Sequence, residues 1–449
     1  MIKHATRRKF LLNTLKIGAV LPVINLPLFT LAAEGDENTS NLYKPTAVPD
    51  RIVLNVTEDP SSSMAVCWRT AVSDEQSGIE YAIADAHPDF IAKAISEKAN
   101  TKVFKFETIA AHNHHVVLKD LKPDTLYAYR VGRSAYWTEW MQFKTARKME
   151  AKAKLDFIYL GDAQVGIKPL WSRVIRKAYA AMPEASMVIH AGDLVNRANK
   201  DDEWGDWFAA GSFVHATVPT IMTPGNHEYT HEDANPHLSV YWKTQFRLPS
   251  NGPEDELLAG SCYFTDIQGV RIISLNTQMI EEAMTEQCIL NQVNWLHKVL
   301  KDNDQQWTCI VMHHPVFSTN NGRNNKNVKK YLKPIFDQYK IDLVMQGHDH
   351  AYARGMRKVP LSNGGPDTHS GTMYIVSVSG SKMYETNAME WADTISSHVQ
   401  VYQTISIDDK VLSFKSYLAT GELLDAFELV KEKGRPNRLI EKKTIHKQP

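Results

Sequence analysis

Five short apolar segments of this sequence are each followed, within about three residues, by a motif that contains polar residues of metal-ligand type. Apolar runs that stop at a polar turn are typical of buried strands. The five segments end at Leu160, Ile189, Met222, Met312 and Met345, and they lead into GDAQ (161–164), GDLVN (192–196), GNHE (225–228), HHP (313–315) and GHDH (347–350). Because the loops after parallel strands converge at one edge of a sheet, the five endings predict a single polar site on an α/β fold.

Segments with a helical pattern alternate with these strands. They lie at residues 169–182, 201–210, 285–303 and 327–339. We therefore predict a layered α/β domain over residues 153–398. Short strand patterns return at 399–432, which predicts a C-terminal β segment that packs on this domain, and residues 433–449 are predicted to be a polar tail.

The region in front of this domain has an all-β pattern. Seven short alternating or β-branched segments lie between residues 51 and 147, which suits a sandwich of two sheets. Trp68 is the candidate for its buried tryptophan. The segment LKPDTLY (121–127) resembles the turn and tyrosine corner of a fibronectin type III domain, so we predict a domain of that kind over 51–147, joined to the N-terminus by a linker at 34–50.

The N-terminus has the pattern of an export signal. A twin-arginine motif, TRRKFL (6–11), precedes a largely apolar run that ends in small residues at Ala33. We predict a signal peptide at residues 1–33, export by the twin-arginine route, and a periplasmic or secreted bacterial protein. An uncleaved membrane anchor is the alternative, and Pro22 and Pro27 argue against it. No stable membrane span is expected after cleavage.

Charge and cysteine content exclude two classes of function. The chain has 51 Lys+Arg against 51 Asp+Glu, whereas nucleic-acid binders usually carry a basic surplus, so no nucleic-acid partner is expected. The four cysteines show no CxxC spacing, which argues against a zinc cluster. An anionic ligand must then be held by a local site, and the predicted edge site is the candidate.

The order of the five endings, GD, GD, GNH, H and GHxH, carries a family resemblance. With these motifs the chain resembles the calcineurin-like phosphoesterases, or metallophosphoesterases. The β-rich region in front and the segments LKPDTLYAYRVG (121–132), WTEWMQF (137–143) and GHDHAYAR (347–354) resemble the purple acid phosphatases in particular. The resemblance covers most of residues 50–430, and it implies a core in which a β-sandwich is flanked by helices.

The resemblance also implies a ligand set for two metal ions. One ion would take Asp162, Asp193 and His350, and the other would take Asp193, Asn226, His313 and His348. Carboxylate, amide and imidazole ligands suit divalent or trivalent iron, manganese or zinc, and the metal identity stays open. Two such ions lower the pKa of a trapped water, and the resulting metal-bound hydroxide attacks phosphorus.

Further residues receive roles by position in the same motifs. His227 is the candidate general acid and, with Asn226, a substrate contact; a purely structural histidine is the alternative. His314 and Asp349 alternate with ligands and are expected to orient them. Arg354 either contacts the substrate or pairs with a nearby carboxylate, and both possibilities stay open.

Two positions depart from the family pattern. Asn196 stands where purple acid phosphatases carry a tyrosine ligand, so we predict that an iron-loaded protein is not purple. Gln164 stands where this subfamily has glycine and most metallophosphoesterases have histidine. It either supplies a weak neutral metal ligand or binds the metal's water, or else it hydrogen-bonds a neighbouring loop.

The sequence thus predicts an exported dimetal phosphoesterase that acts on a small phosphorylated substrate, most simply a phosphate monoester. A phosphodiesterase or nucleotide pyrophosphatase on the same site is the alternative. A non-catalytic binding or adhesion protein is the remote alternative, because a silenced site should have lost ligands and this one keeps them. The oligomeric state and the disulfide status of the cysteines are left open by the sequence.

Overall fold

The computed structural model describes residues 42–148, 153–231, 235–283, 285–320, 322–356, 358–359, 368–369, 371–432 and 435–442. The predicted signal peptide and residues 34–41 of the predicted linker lie outside these residues. Nowhere in the described ranges is there a helix whose length and hydropathy would allow it to cross a membrane.

The first part of the described chain consists of nine strands. They are β1 (Asp50–Asn55), β2 (Met64–Thr70), β3 (Gly78–Ile83), β4 (Ile95–Lys98), β5 (Asn100–Phe106), β6 (Ile109–Leu118), β7 (Leu126–Arg133), β8 (Tyr136–Trp137) and β9 (Met141–Lys144). Strands β1, β2, β6 and β5 lie in one sheet, and β4, β3, β7, β8 and β9 form a second. Alternate residues of β2, namely Met64, Val66 and Trp68, are buried between the two sheets, as a strand with one face in a sandwich requires.

The turn before β7 has the predicted corner geometry. Tyr127 Oη accepts a hydrogen bond of 2.8 Å from the backbone N–H of Lys122, five residues upstream. The hydroxyl thereby satisfies a backbone donor at the point where the chain crosses between the sheets. The predicted tryptophan, Trp68, is 2% exposed.

The remaining chain alternates strands and helices before it returns to strands. Its strands are β10 (Leu155–Leu160), β11 (Met187–His190), β12 (Thr220–Met222), β13 (Tyr229–Thr230), β14 (His237–Leu238), β15 (Tyr263–Ile267), β16 (Val270–Leu275), β17 (Trp307–Met312), β18 (Leu343–Gln346), β19 (Tyr352–Gly355), β20 (Lys358–Val359), β21 (Thr368–His369), β22 (Met373–Val376), β23 (Thr394–Ser396), β24 (Val401–Asp408), β25 (Val411–Leu418), β26 (Leu423–Val430) and β27 (Arg438–Glu441). Its helices are α1 (Ser172–Ala181), α2 (Asp201–His215), α3 (Trp242–Gln245), α4 (Gln278–Glu281), α5 (Glu286–Lys301), α6 (Lys326–Tyr331) and α7 (Lys333–Tyr339).

Two large sheets organise this part. One runs β27-β26-β25-β24-β10-β11-β12 and continues into β1-β2-β6-β5, and the other runs β15-β16-β17-β18-β22-β19-β23. Alternate residues of β17 face two different cores: Cys309 and Val311 pack in the cluster shared with the first sheet, and Ile310 and Met312 pack against the helical layer. The predicted β-sandwich flanked by helices is therefore confirmed.

Parallel pairing aligns the strand ends that matter for the site. Leu160 of β10 pairs with His190 of β11, and His190 pairs with Met222 of β12. In the other sheet Val311 of β17 pairs with Met345 of β18. An isolated parallel bridge between Asp162 and Val378 joins the two sheets at this edge. The five predicted loops consequently leave the sheets side by side.

Three predicted segments differ from the structure. The helix predicted at 327–339 is divided at Leu332 into α6 and α7, since Pro334 has no N–H to continue the hydrogen-bond ladder. A π-helical turn, Ile167–Trp171, precedes α1. The tail predicted at 433–449 contains β27, because Leu439 packs against the core and the strand pairs with β26.

The β-rich region is joined directly to the α/β region. Asn55 of β1 pairs with Thr220 of β12, and Asn55 Nδ2 donates to Thr220 Oγ1 at 2.8 Å. Asn41–Pro449 forms one compact unit. The division into domains at 51–147, 153–398 and 399–432 stays a prediction.

Candidate metal centre

The six predicted metal ligands come together where the two sheets meet. Four of them are buried, namely Asp162, Asp193, His313 and His350. Asn226 and His348 are half-buried. We refer to these six residues as the metal centre.

The ligand atoms of the metal centre fall into two overlapping groups. Asp162, Asp193 and His350 form one group, and Asp193, His313 and His348 form the other, with the ligand atoms of each group within 4.8 Å of one another. Asn226 Oδ1 lies 3.1 Å from His313 Nε2 and 2.9 Å from His348 Nδ1, so it extends the second group. Asp193 belongs to both groups, as a bridging carboxylate must.

Hydrogen bonds fix the histidine rings with their lone pairs turned inward. His313 Nδ1 donates to Ala191 O at 2.8 Å, which leaves Nε2 to face Asp193 Oδ1 at 3.3 Å. His350 Nδ1 donates to Lys382 O at 2.9 Å, which leaves Nε2 to face Asp162 Oδ2 at 3.3 Å. Carboxylate, amide and imidazole acceptors at these separations repel one another unless a cation lies among them, so the donor set fits a metal pair.

The electrostatics of the centre favour positive charge. Burial lowers the pKa of His313, but the Asp193 and Asp162 carboxylates outweigh burial and raise it to about 9. Burial and the Asp193 charge raise the pKa of Asp162 to about 7 against the opposing effect of His313, while His313 and His227 hold the pKa of Asp193 below its usual value despite burial. The two buried carboxylates thus favour a positive charge between them, which a proton on His313 or a bound metal ion can supply.

The loops hold these ligands in backbone conformations that most residues avoid. Asp193, His348 and His350 have positive φ values of 51°, 75° and 49°, and such conformations persist where the surrounding structure enforces them. At Gly347 a Cβ atom would lie 2.2 Å from Asp162 Oδ1. The glycine before His348 is therefore required for the close approach of the backbone to a ligand.

A buried glutamate that the sequence analysis did not single out positions the bridging ligand. The Glu228 carboxylate accepts N–H groups of Asp193 and Leu194, each at 2.8 Å, and of Gly225 at 2.7 Å. Burial and the Asp193 charge raise the pKa of Glu228 to about 8, and the backbone donors oppose that rise. Glu228 links the second and third loops, and its place directly after GNH is the signal that could have revealed it.

His227, the predicted general acid, is half-buried beside the metal centre. Its Nδ1 donates to Asn196 O at 2.6 Å, and its backbone N–H donates to Asp193 Oδ1 at 2.9 Å. Because Nδ1 faces Asn196, the other ring nitrogen, Nε2, faces away from it. The second bond ties the His227 backbone to Asp193. Asn196, where the family carries tyrosine, thus acts here through its backbone carbonyl.

His314 and Asp349 have partners that hold the loops around the centre. His314 Nδ1 is bonded to Thr277 Oγ1 at 3.0 Å, and its ring lies 4.4 Å from the ring of His348. The Asp349 carboxylate accepts from Thr319 N at 2.6 Å and from Ser318 Oγ at 2.8 Å. Asp349 therefore points away from the ligand atoms and fixes the loop after β17.

Gln164 is buried in the first loop and its role stays a prediction. Within the described residues neither atom of its side-chain amide has a hydrogen-bond partner. Its backbone N–H donates to Asp193 O at 3.0 Å, and its φ is 39°. An unpaired buried amide next to the metal centre is consistent with a neutral ligand or a group that binds the metal's water.

Arg354 does not take part in the metal centre. It is 2% exposed, and its guanidinium bonds Asp425 through Nε at 2.7 Å and Glu441 through Nη2 at 2.6 Å. Tyr352 Oη also donates to Asp425, at 2.7 Å. Of the two predicted roles of Arg354, the structure shows the pair with nearby carboxylates, and it does not support a contact with the substrate. We call Arg354, Tyr352, Asp425 and Glu441 the Arg354 cluster.

Three side chains at the rim of the centre were missed by the sequence analysis. Tyr384 lies with its ring 4.6 Å from the ring of His350. The Arg323 guanidinium lies 5.2 Å and the Lys382 ammonium 5.6 Å from the Tyr384 ring centre. Lys382 and Tyr384 follow β22, a sixth strand that ends at the same edge, and its Ser-Gly ending at 379–380 was the available signal. We call Arg323, Lys382 and Tyr384 the rim residues.

Comparisons with known proteins match both regions of the chain. Residues 49–145 match the purple acid phosphatase N-terminal domain, and residues 156–352 match the calcineurin-like phosphoesterase family. Human acid phosphatase type 7 is 24% identical over 376 residues, which are 75% of this chain and 79% of that protein. Phosphoenolpyruvate phosphatase of Allium cepa is 24% identical over 386 residues, which are 82% of this chain and 74% of that protein.

Two solved structures share the fold. A purple acid phosphatase from yellow lupin seeds superposes with a TM-score of 0.68 at 17% identity, covering 86% of this chain and 75% of that chain. The structure of PhoD superposes with a TM-score of 0.64 at 13% identity, covering 89% of this chain and 93% of that chain. Both support the arrangement of sheets and helices described above.

Proposed function

Because the chain belongs to the calcineurin-like phosphoesterases and carries the N-terminal domain of the purple acid phosphatases, we propose that it is an exported phosphate monoesterase that works with two metal ions. The family makes it a hydrolase of phosphate esters and implies a dinuclear metal centre. The preference for monoesters, the residue roles and the export route are the proposal.

The observation that carries the proposal is the convergence of six side chains of metal-ligand type around one shared carboxylate. Asp193 is shared by two groups of ligand atoms, and the Nε2 atoms of His313 and His350 face carboxylate oxygens at 3.3 Å. Pairing of this kind is costly in a buried site unless a cation is bound. Loss of function by drift would be expected to remove some of these ligands, so their presence supports an enzyme over a binding protein.

The residues of the chain divide the work of ester cleavage. The metal pair, when bound, activates water for attack on phosphorus and neutralises the charge of the phosphate. Asn226 and His227 contact the phosphate, and His227 delivers a proton from Nε2 to the leaving alkoxide. Because Nδ1 already donates to Asn196 O, the proton that Nε2 delivers is that of the doubly protonated ring, and delivery leaves a neutral ring with its proton on Nδ1.

Export is proposed from the sequence of residues 1–33 alone, which lie outside the described residues. The twin-arginine route carries folded proteins, which suits a buried centre that is assembled together with its metals. A fusion of residues 1–33 to a reporter should reach the periplasm, and Arg7→Lys with Arg8→Lys should keep it in the cytoplasm. Export of the double variant would contradict the route.

The substrate class is tested on purified protein loaded in parallel with manganese, zinc or iron. Aryl and alkyl monoesters, phosphoenolpyruvate, a nucleotide and bis(para-nitrophenyl) phosphate form the panel. We expect kcat/KM for monoesters to exceed that for the diester by about 100-fold or more, roughly 2.7 kcal/mol of transition-state selectivity. His348→Ala is the matched inactive control.

Each other result has a definite reading. A preference for the diester or for the pyrophosphate bond of the nucleotide would favour the phosphodiesterase alternative. Hydrolysis that persists in His348→Ala would remove the assignment of the metal centre. Absence of hydrolysis with every metal, in protein shown to bind the metals, would favour the binding-protein alternative.

A further inference from the structure

The rim residues lie on one side of the metal centre and are held there by the ligand His350 itself. Its Nδ1 donates to Lys382 O at 2.9 Å, and its carbonyl accepts the backbone N–H of Tyr384 at 3.3 Å. The segment from Lys382 to Tyr384 is therefore fixed to a metal ligand at both ends. The backbone of this segment cannot move away from the site without breaking these bonds.

The charge of Arg323 is already used by the protein. Its Nη1 donates to His348 O at 2.6 Å and to Asp349 Oδ1 at 3.2 Å. The Asp349 carboxylate, which is buried, offsets the guanidinium charge. Arg323 thus holds the GHDH loop and supports one face of Tyr384, and it contributes little uncompensated charge.

The Lys382 ammonium is different because it has no carboxylate partner in the described part of the chain. Its contact there is with the Tyr384 ring, at 5.6 Å. The nearest acid along the chain, Glu385, pairs instead with His398 at 2.8 Å. Lys382 is half-buried, and a half-buried cation without a counterion beside a phosphate site is a ready place for an anion.

From this arrangement we infer that Lys382 and Tyr384 form a subsite for a second anionic group on the ester portion of the substrate, next to the phosphate that is cleaved. The inference rests on the proposed function and narrows its substrate class to phosphate monoesters whose alcohol carries a carboxylate or a further phosphate. Lys382 supplies the charge, and the Tyr384 ring and hydroxyl position the group that carries the anion. A neutral alcohol would leave the ammonium without a partner.

The test uses a matched pair of substrates in which only this charge differs. The full metal-loaded protein is assayed with meta-carboxyphenyl phosphate and with meta-carbamoylphenyl phosphate, its neutral isostere, and resorcinol bisphosphate provides a phosphate as the second anion. We expect the carboxylate ester to be preferred in kcat/KM by about fivefold, as for a half-exposed ion pair. The preference should appear in KM and should fall at about 1 M salt, where the screening length is about 3 Å. Comparison of the carboxylate ester with the bisphosphate shows which anion the subsite takes.

Variants separate a binding role from a structural one. Lys382→Gln should bring the preference close to unity, Lys382→Glu should reverse it, and Lys382→Arg should retain it. Lys410→Gln is the matched control, since Lys410 is exposed in the turn after β24, at the amino end of β10 and thus at the opposite edge of the sheet. Metal content and Tm are measured for every variant, and binding of the corresponding benzylphosphonates by calorimetry gives a readout that does not depend on turnover.

The failure of this inference is distinct from failure of the proposed function. If the protein hydrolyses neither ester, the proposed function fails. If it hydrolyses both without preference, or if Lys382→Gln keeps the preference within twofold, the subsite is refuted while the phosphatase remains. Equal losses on both esters, together with lower metal content in Lys382→Gln, would show that Lys382 only supports His350.

Discussion

Two clusters of charged and polar side chains in this protein each include residues of one sequence motif, yet they differ in how their polar atoms are matched. In the Arg354 cluster each guanidinium nitrogen meets a carboxylate oxygen, at 2.6 to 3.0 Å. In the metal centre no Lys or Arg side chain among the six residues pairs with the two carboxylates, and ligand-type atoms such as His313 Nε2 and Asn226 Oδ1 lie 3.1 Å apart. His348, His350 and Arg354 lie within the same GHDHAYAR segment (347–354).

The difference separates structural charge from functional charge. In a matched cluster the charges are already paired in the folded protein, so the cluster needs no ligand and its loss lowers the free energy of unfolding. An unmatched cluster destabilises the folded protein unless a cation is bound, so its residues contribute to the free energy of cation binding. Mutations should therefore affect stability in the first cluster and metal-dependent chemistry in the second.

The largest effect on catalysis is expected from substitution of Asp193, the carboxylate shared by both groups of ligand atoms. Asp193→Asn keeps the size of the side chain but removes the charge shared by both groups of ligands. We expect kcat/KM for an aryl phosphate to fall by about 10⁴-fold, roughly 5.5 kcal/mol, with loss of bound metal measured by mass spectrometry.

The control for this variant is Asp337→Asn, which removes a carboxylate from a partly exposed pair with Lys333 on α7. It should leave kcat/KM and metal content unchanged. If Asp193→Asn kept its metal and activity within tenfold of the original, the unmatched acceptors would not be a metal site, and the contrast between the clusters would be lost.

Arg354→Met should show the opposite pattern. Removal of the guanidinium leaves Asp425, which is buried, without its ion-pair partner. We expect a loss of about 3 kcal/mol or more in the free energy of unfolding, measured with denaturant, while kcat and KM of the folded fraction stay within twofold. Adding Asp425→Asn should recover part of the loss, because the buried charge is then removed.

A raised KM in a stable Arg354→Met variant would break the comparison, since Arg354 would then contact the substrate. The sequence could not decide this point. It identified the motif but not the side of β19 to which Arg354 turns. That direction depends on partners about 70 and 90 residues later, Asp425 and Glu441, and no local pattern encodes it.

The His227 ring has one nitrogen that is paired within the protein and one that is available to the substrate. Its Nδ1 is paired with Asn196 O, and Nε2 is left for the substrate. His227→Gln should lower kcat by about 100-fold for alkyl monoesters, roughly 2.7 kcal/mol, and by only a few-fold for aryl monoesters, whose leaving groups need less protonation. Equal losses for both ester types would remove the general-acid role and leave His227 a structural residue.

The sequence predicted the ligands better than their surroundings, for a physical reason. Ligands such as Asp162 and His313 follow strands directly, so periodicity and a short motif locate them. Glu228 accepts a backbone N–H from a distant loop, and the backbone carbonyl of Lys382 accepts the ring N–H of His350, and only the folded structure shows these contacts. Strand ends were likewise predictable, whereas the break at Leu332 and the strand β27 depended on a proline and on tertiary packing.

A third buried polar group tests whether unmatched atoms always imply a cation. His215 stacks on Trp207 with ring centres 4.0 Å apart, and neither of its ring nitrogens has a partner within the described residues. His190 is its titratable neighbour, with ring centres 6.0 Å apart. Unlike the metal centre, this group contains no carboxylate, and burial lowers the pKa of His215 from 6.5 to about 3. Burial without a nearby carboxylate therefore disfavours protonation of this group near neutral pH.

The smallest predicted effect follows from that depressed pKa. As the pH falls below 6.5, the unfolded chain protonates His215 and the folded chain does not, so stability is lost with acid. The loss should be about 1.4 kcal/mol between about pH 7.5 and pH 5.5. Denaturant unfolding of His215→Phe, which keeps a ring on Trp207, should show a shallower acid slope by that amount, whereas the exposed-site control His87→Phe should keep the original slope. An unchanged slope in His215→Phe would mean that His215 accepts a proton in the folded protein. The presence of carboxylates would then not be the feature that distinguishes the metal centre from this group.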